Sequence, residues 1–366
     1  EMTYKVIGIM SGSSLDGLDI LFAHFTETAG KWSYEVVVAD CYPYPEEWQR
    51  RLREATRLSA RDYCLLDAEY GHFLGQTVNR FCEEKNVVLQ ADLIASHGHT
   101  TFHMPELRMT AQLGDGAALA SETGMAVITD LRAMDVALGG QGAPIVPVGE
   151  ALLFPEYSLF LNVGGIANVS CHRDSGVEAF DICPANAVLN ALSMRLGRPY
   201  DDDGVLARGG TLNEALLARL NQTPYYQKPW PKSLANDFGT DTILPLLDGA
   251  GLSIQGKLHT YVEHISVQVA AAAARLLERG PMASPRMLVT GGGAFNGFLI
   301  ERLRHHLSPL RIEVVVPEES VVIFKEALVM AMLGILRWRE GATTFPSVTG
   351  ASRPSIGGAL WMGHDV

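Results

Sequence analysis

One pattern occurs twice in this chain and limits what it can become. Residues 4–9 read as a short buried strand, 11–17 as a polar turn bearing glycine, and 18–25 as a strand that returns. Residues 159–163, Gly164-Gly165 and 166–171 repeat that order. The first copy continues with a strand over 32–41 and helices over 45–56 and 60–84. In the second of these helices Cys64, Leu65, Ala68, Phe73, Leu74, Val78 and Phe81 recur at helical spacing. A strand at 93–96 follows. The second copy continues with helices over 185–196, 213–220 and 259–278, a strand at 286–290, a helix at 295–307, a strand at 312–316 and a helix at 323–339. The repeat predicts two related α/β lobes, each a sheet of mixed strand direction covered by helices. The length of 366 residues agrees, because single cores stop growing at roughly 250 to 300 residues.

Composition excludes several classes of function. The chain is 47% hydrophobic and 19% charged, without the apolar run of ~18 residues that a membrane helix needs. Its first residues lack the basic stretch and apolar core of a secretion signal, so a cytoplasmic protein is expected. A net charge of -12 with no Lys/Arg cluster argues against nucleic acid and for a small-molecule partner. Five scattered cysteines with no C-x-x-C pair indicate neither a disulfide framework nor a zinc site. His97, His99 and His103 stand close together, but no carboxylate pattern beside them suggests metal ligation, and no protein-held metal is expected.

Phosphate-binding signatures of the common kinds are absent. There is no G-x-x-x-x-G-K-[ST], and no G-x-G-x-x-G opens a helix after a strand. Glycine turns stand instead at residues 8–17, Gly139-Gly140-Gln141-Gly142, Gly164-Gly165 and Gly291-Gly292-Gly293. Each permits close backbone approach to an anion, and each alone is as well explained by ordinary turn chemistry. Two of them occupy the corresponding turn of each repeat, and this favours a ligand.

Several segments together resemble the anhydro-N-acetylmuramic acid kinase family. They are residues 8–19, Ser96-His97-Gly98-His99 through His103, Asp130-Leu131-Arg132 with residues 139–144, and Asn162 through Asn168. Phe180-Asp181, Asn186, Asp203-Gly204, residues 291–296, Lys325-Glu326-Ala327 and residues 348–351 continue the match in the same order, over essentially the whole chain.

The resemblance implies an actin-like ATPase of the hexokinase and ribonuclease H-like type, with nucleotide in a cleft between two lobes. Lobe I would be residues 1–131 with 327–366 and lobe II residues 132–326, with hinges near 130–142 and 316–326. The activity implied is ATP- and Mg²⁺-dependent phosphorylation of O6 of anhydro-N-acetylmuramic acid, with water opening the 1,6-anhydro ring, by a homodimer. Asp181 would be the base that activates that water. Gly12, Ser13, Ser14, Leu15, Asp16 and Gly17 would hold phosphates, with Asp16 or Asp19 orienting the metal's water shell. Gly164, Gly165 and Asn168 would form a second phosphate loop, and Gly291, Gly292, Gly293 and Asn296 would approach the adenosine. On the sugar side Arg132 would fork onto the lactyl carboxylate, joined by His103, Gln112, Asp130, Asn186 and Glu326.

Departures from the family pattern bear on the substrate. Ile182-Cys183-Pro184-Ala185 replaces the usual Thr-Gly-Pro-Gly after Asp181, His99 stands for Gln, and Ser13 for Thr. Two other readings stay open at this level: a kinase of the same fold acting on another sugar or acid, and a nucleotide-binding module without chemistry.

Overall fold

Strand β1 (Met2–Ser11) sends Val6, Ile7 and Ile9 into the interior of the first unit. β2 (Gly17–Thr28) returns antiparallel with Ser11 opposite Leu18 and Met10 opposite Asp19, and β3 (Lys31–Pro43) follows with Cys41 opposite Asp19. After the helix Ala60–Glu84, capped by Ser59 at the Asp62 amide, β4 (Leu93–Ser96) lies parallel to β1. A small hairpin, β5 (His99–Met104) and β6 (Met109–Leu113), precedes β7 (Ala126–Thr129), which is parallel to β4. The order is β3-β2-β1-β4-β7.

The second unit repeats this with β8 (Leu159–Val163), β9 (Ile166–Arg173), β10 (Gly176–Pro184), β11 (Arg286–Thr290) and β12 (Glu313–Val315). Its order, β10-β9-β8-β11-β12, has the same senses strand for strand. β13 (Ala359–Trp361) then adds antiparallel to β7 in the first sheet. The duplicated mixed sheet expected from the repeat is therefore present, and the computed structural model describes residues 1–12 and 14–365.

Each sheet is covered by long helices because each presents apolar side chains to them. Ile7, Ile9, Ile20 and Phe22 pack with Tyr70, Leu74, Val78 and Phe81 of the helix Ala60–Glu84. Leu159, Leu161 and Val163 pack with Tyr261, Ile265 and Leu276 of the helix Ile254–Arg279. Full burial of each such side chain is worth about 1.5–3 kcal/mol. The helix Glu319–Trp338 comes so close to β1 that a Cβ at Gly8 would sit 2.0 Å from the Ala327 carbonyl oxygen, so this position needs glycine.

The chain divides into Glu1–Pro155 with Phe324–Val366, and Glu156–Ile323. The expected division at 131/132 and 326/327 lies elsewhere. Residues 132–155 belong with the first unit, where Phe154 meets the ring of Tyr34 edge-on and Asp135 bonds Thr349. The return crossing coincides with a break in the last long helix at Phe324 (φ -111°, ψ 15°). The sequence reading did not include the hairpin β5-β6, the short strand β7, β10 or β13.

Candidate functional site

β1, β4 and β7 are mutually parallel, and open α/β sheets place ligands at the carboxyl ends of such strands. These ends carry the expected residues: Gly12 to Gly17 after β1, His97 after β4, and Asp130 to Arg132 after β7. In the first turn Leu15 adopts φ +58° and buries its side chain in the core, while Gly12, Ser14 and Asp16 stay exposed. A strained residue anchored from below leaves the exposed backbone of the turn facing solvent. Ser13 lies outside the described residues.

Arg132 is fixed by two bonds. Its Nε donates to His97 Nε2 at 2.9 Å and its Nη1 to the Gly142 carbonyl at 2.6 Å. His97 Nδ1 lies 2.8 Å from the Gly98 carbonyl, so Nδ1 carries the proton and Nε2 offers the lone pair. The ring must be neutral for this, and burial together with the Arg132 charge pulls its pKa down to about 3. The second amino group, Nη2, has no hydrogen-bond partner among the described residues.

Around this guanidinium the first unit gathers further expected groups. His103 Nδ1 and Gln112 Nε2 both meet the Thr110 hydroxyl, at 3.0 and 2.9 Å. His103 also bonds the backbone of Gln141, in the loop that carries Gly142. Asp130 is exposed in a left-handed conformation (φ +57°), its carboxylate accepting from Thr129 Oγ1. Glu326 has solvent-accessible surface yet enough protein around it for burial to raise its pKa, with Arg132 and Lys325 pulling it back.

Asp19 is pushed up to about 6, first by burial and further by the Glu326 charge, against the lowering effect of the Cys41 thiol that bonds it. A carboxyl raised this way favours the folded state only while protonated. That contribution is complete below about pH 3.8 and is lost as pH rises through about 6. Asp19→Asn is therefore expected to melt above wild type at pH 7.5 in the absence of nucleotide. The gap should close below about pH 4, and equal melting at both pH values in a thermal scan would refute it.

In the second unit the corresponding turn is tied to the start of the helix Asn186–Met194. The amides of Ala185 and Ala187 donate to the Gly165 carbonyl, and that of Asn186 to the Gly164 carbonyl, at 2.8 to 3.2 Å. Asn186 Nδ2 adds a bond to the Val163 carbonyl at 3.1 Å. Asn168 stands directly across from Asn162 on one side and Asp181 on the other. Asn168 and Asp181 thus occupy the places that Asp19 and Cys41 hold in the first unit.

The expected glycines separate into two kinds. At Gly12, Gly164, Gly165 and Gly292 a Cβ would meet nothing nearer than 3.5 Å among the described residues, and none of the four lies in the left-handed region. Packing does not require glycine there, and open space in front of a backbone turn is what an approaching phosphate uses. Gly17, Gly291 and Gly293 are required by the fold itself. Their Cβ atoms would fall 2.7 Å from Cys41 Sγ, 2.7 Å from Asn162 Oδ1 and 2.2 Å from Val163 Cγ1. Asn296 also has a structural task, because its Oδ1 caps the helix Gly297–Leu307 at the Leu299 amide.

Asp181 sits at the bulge of β10, half-buried. One carboxylate oxygen accepts from the Leu234 amide at 2.9 Å, and its carbonyl accepts from Tyr225 Oη at 2.7 Å. Burial raises its pKa and the Leu234 bond opposes this, leaving a net shift upward. The segment that departs from the family pattern turns inward. Ile182, Cys183 and Ala185 are core residues, and the Pro184 carbonyl accepts from Tyr261 Oη at 2.6 Å. The sequence reading did not single out Asp135, Glu150 or the 225–234 segment that holds Asp181, and it had Thr349 only as part of the 348–351 segment that carries the resemblance, with no role.

Comparison with known proteins gives a consistent family assignment. A family model described as anhydro-N-acetylmuramic acid kinase matches residues 4–363. A protein of that name from Methylobacterium nodulans is 35% identical over 97% of this chain and 98% of its own. Another from Vibrio parahaemolyticus is 32% identical over 97% of both. Among solved structures, (R)-2-hydroxyglutaryl-CoA dehydratase component A from Acidaminococcus fermentans aligns over 90% of this chain and 97% of its own. That likeness, at 13% identity and a TM-score of 0.46, is too slight to build on.

Proposed function

The chain belongs to the anhydro-N-acetylmuramic acid kinase family, and we propose that it uses ATP to convert anhydro-N-acetylmuramic acid to N-acetylmuramic acid 6-phosphate during peptidoglycan recycling. The observation that carries the chemistry is Asp181, a half-buried carboxylate held by the Leu234 amide, opposite Asn168 and beside an open glycine turn. In this reading Asp181 takes a proton from water as the water oxygen bonds to the anomeric carbon. The C1–O6 bond breaks, and O6 takes the γ-phosphoryl group, leaving ADP.

Arg132, locked by His97 and Gly142, offers its second amino group to the lactyl carboxylate. His103, Gln112, Asp130 and Glu326 border it in the first unit, and Asn186 belongs to the second. The open turns at Gly12 and Gly164-Gly165 are suited to phosphate oxygens, and the carboxylates of Asp16 and Asp19 to the water shell of Mg²⁺. When bound, Mg²⁺ would neutralise charge on the phosphates. Among the described residues no helix is long and apolar enough to cross a membrane. The same reading places the enzyme in the cytoplasm as a homodimer.

Incubation with [γ-³²P]ATP, Mg²⁺ and anhydro-N-acetylmuramic acid tests this. The expected product is a ring-opened 6-phosphate carrying label. Label transfer only to another sugar or acid, or ATP binding with no transfer to any, would overturn it. These are the two other readings, and the inward packing of Ile182 to Ala185 speaks against both, because the altered residues serve the core.

A further inference from the structure

We propose that Asp135 and Thr349 are positioning residues for Arg132, acting through the backbone of Gly142, and that they thereby set the affinity for the acid group of the sugar. The inference rests on the role assigned above to Arg132. Its geometry lies entirely within the first unit.

Asp135 is fully buried (0% exposed). Among the described residues no cation hydrogen-bonds to it. Instead Oδ2 accepts from the Gly142 amide at 2.8 Å, and Oδ1 accepts from Thr349 Oγ1 at 2.7 Å. A buried carboxylate is retained only where donors converge on it, and here both donors belong to one small assembly. The Asp135 carbonyl accepts from the Gly140 amide at 2.9 Å, and the Thr349 carbonyl accepts from the Gln141 amide at 2.7 Å. Three successive amides, of Gly140, Gln141 and Gly142, are therefore tied to Asp135 or Thr349.

The fit leaves no slack. A Cβ at Gly140 would stand 2.3 Å from Asp135 Oδ2, and one at Gly142, whose φ is +65°, would stand 2.4 Å from Val136 Cγ2. Glycine at both places lets the loop close on the carboxylate. What the loop delivers is the Gly142 carbonyl, 2.6 Å from Arg132 Nη1, and the Gln141 backbone, which bonds His103. With Nε held by His97, the Gly142 carbonyl is the second point that fixes the plane of the guanidinium. A planar fork binds a carboxylate well only when both its axis and its plane are set.

Thr349→Val and Asp135→Asn test the idea. Asparagine keeps the volume but removes the charge that strengthens the bonds to Gly142 and Thr349, so it loosens the loop and still folds if Asp135→Ala fails to express. For Thr349→Val the expected loss is about tenfold in affinity for anhydro-N-acetylmuramic acid, seen in KM with kcat little changed. Affinity for the matching anhydro-sugar without the lactyl group should change less than about twofold, and Thr349→Ser should restore wild-type behaviour. Equal losses on both sugars, or a loss confined to kcat, would overturn the proposal.

A second readout does not need turnover. In protein labelled with ¹⁵N-arginine, the Arg132 Nε proton bonded to His97 should exchange slowly with solvent, identified by its disappearance in Arg132→Lys. Exchange should quicken by about tenfold or more in Thr349→Val and in Asp135→Asn. Unchanged exchange in both variants would refute the positioning role, whatever sugar the enzyme accepts. If exchange quickens but the lactyl-dependent difference is absent, Arg132 is positioned as proposed and its assignment to the sugar acid is wrong.

Discussion

Asp181→Asn is expected to lower kcat by about 10³-fold while leaving ATP affinity within about twofold, since positioned general bases contribute roughly 10² to 10⁴. Asparagine keeps an acceptor for the Leu234 amide, so the local fold should survive. What it lacks is the second, basic oxygen that takes the proton from water. The pH profile supplies an independent check. Burial raises the Asp181 pKa above its ordinary 3.8, and a base works only when ionised. Wild-type kcat/KM should therefore fall as pH drops through that raised value, with an acid limb lying above pH 3.8. The residual activity of the variant should lack this limb. A variant retaining more than about a tenth of wild-type turnover would remove Asp181 from the role of base.

The sequence made the repeat legible because its turn residues and apolar strands are local signals. β8 and β11 were placed to the residue, as was the helix Ala60–Glu84. What escaped lacks such signals. β10 carries a register shift between Asp181 and Cys183 that breaks its alternation. The hairpin β5-β6 is polar and half-exposed, with Thr100, Thr101, Thr110 and Gln112 where an amphipathic strand would show apolar residues. The site divides the same way. The glycine turns could be recognised as a set, but which glycines face open space and which meet another strand depends on atoms distant in sequence. Asn296 was expected near a nucleotide, and that it also caps the helix Gly297–Leu307 emerges only from the fold. Asp135 was passed over because a single acidic residue in a short helix has no pattern, and its partner Thr349 lies 214 positions away.

Lys325 and Glu150 form a pair of the same hidden kind, and breaking it is expected to have the largest effect on stability of any change considered. Lys325 Nζ lies 2.5 Å from Glu150 Oε2, with only 9% and 5% of the two side chains exposed. The enclosure has a cause in the backbone. A Cβ at Gly149 would fall 2.7 Å from Val329 Cγ1, so glycine lets the helix Val146–Leu153 lie directly against the helix Glu319–Trp338. Burial keeps most water from both charges. Lys325→Met removes this cation from a buried carboxylate, at a cost of about 3–5 kcal/mol. In a unit of this size that corresponds to a fall in Tm of about 10 °C. A buried pair replaced as a whole behaves differently, because desolvation of the two ions offsets most of their attraction. The double variant Lys325→Met/Glu150→Leu should therefore regain at least about half of the loss, a coupling that only contacting groups show. Since Lys325 also draws down the pKa of the adjacent Glu326, Lys325→Met should shift the acid limb of sugar binding upward as well as lower the melting point. An unchanged Tm in Lys325→Met, or a double variant as unstable as the sum of the singles, would show that the pair does not hold the two helices together.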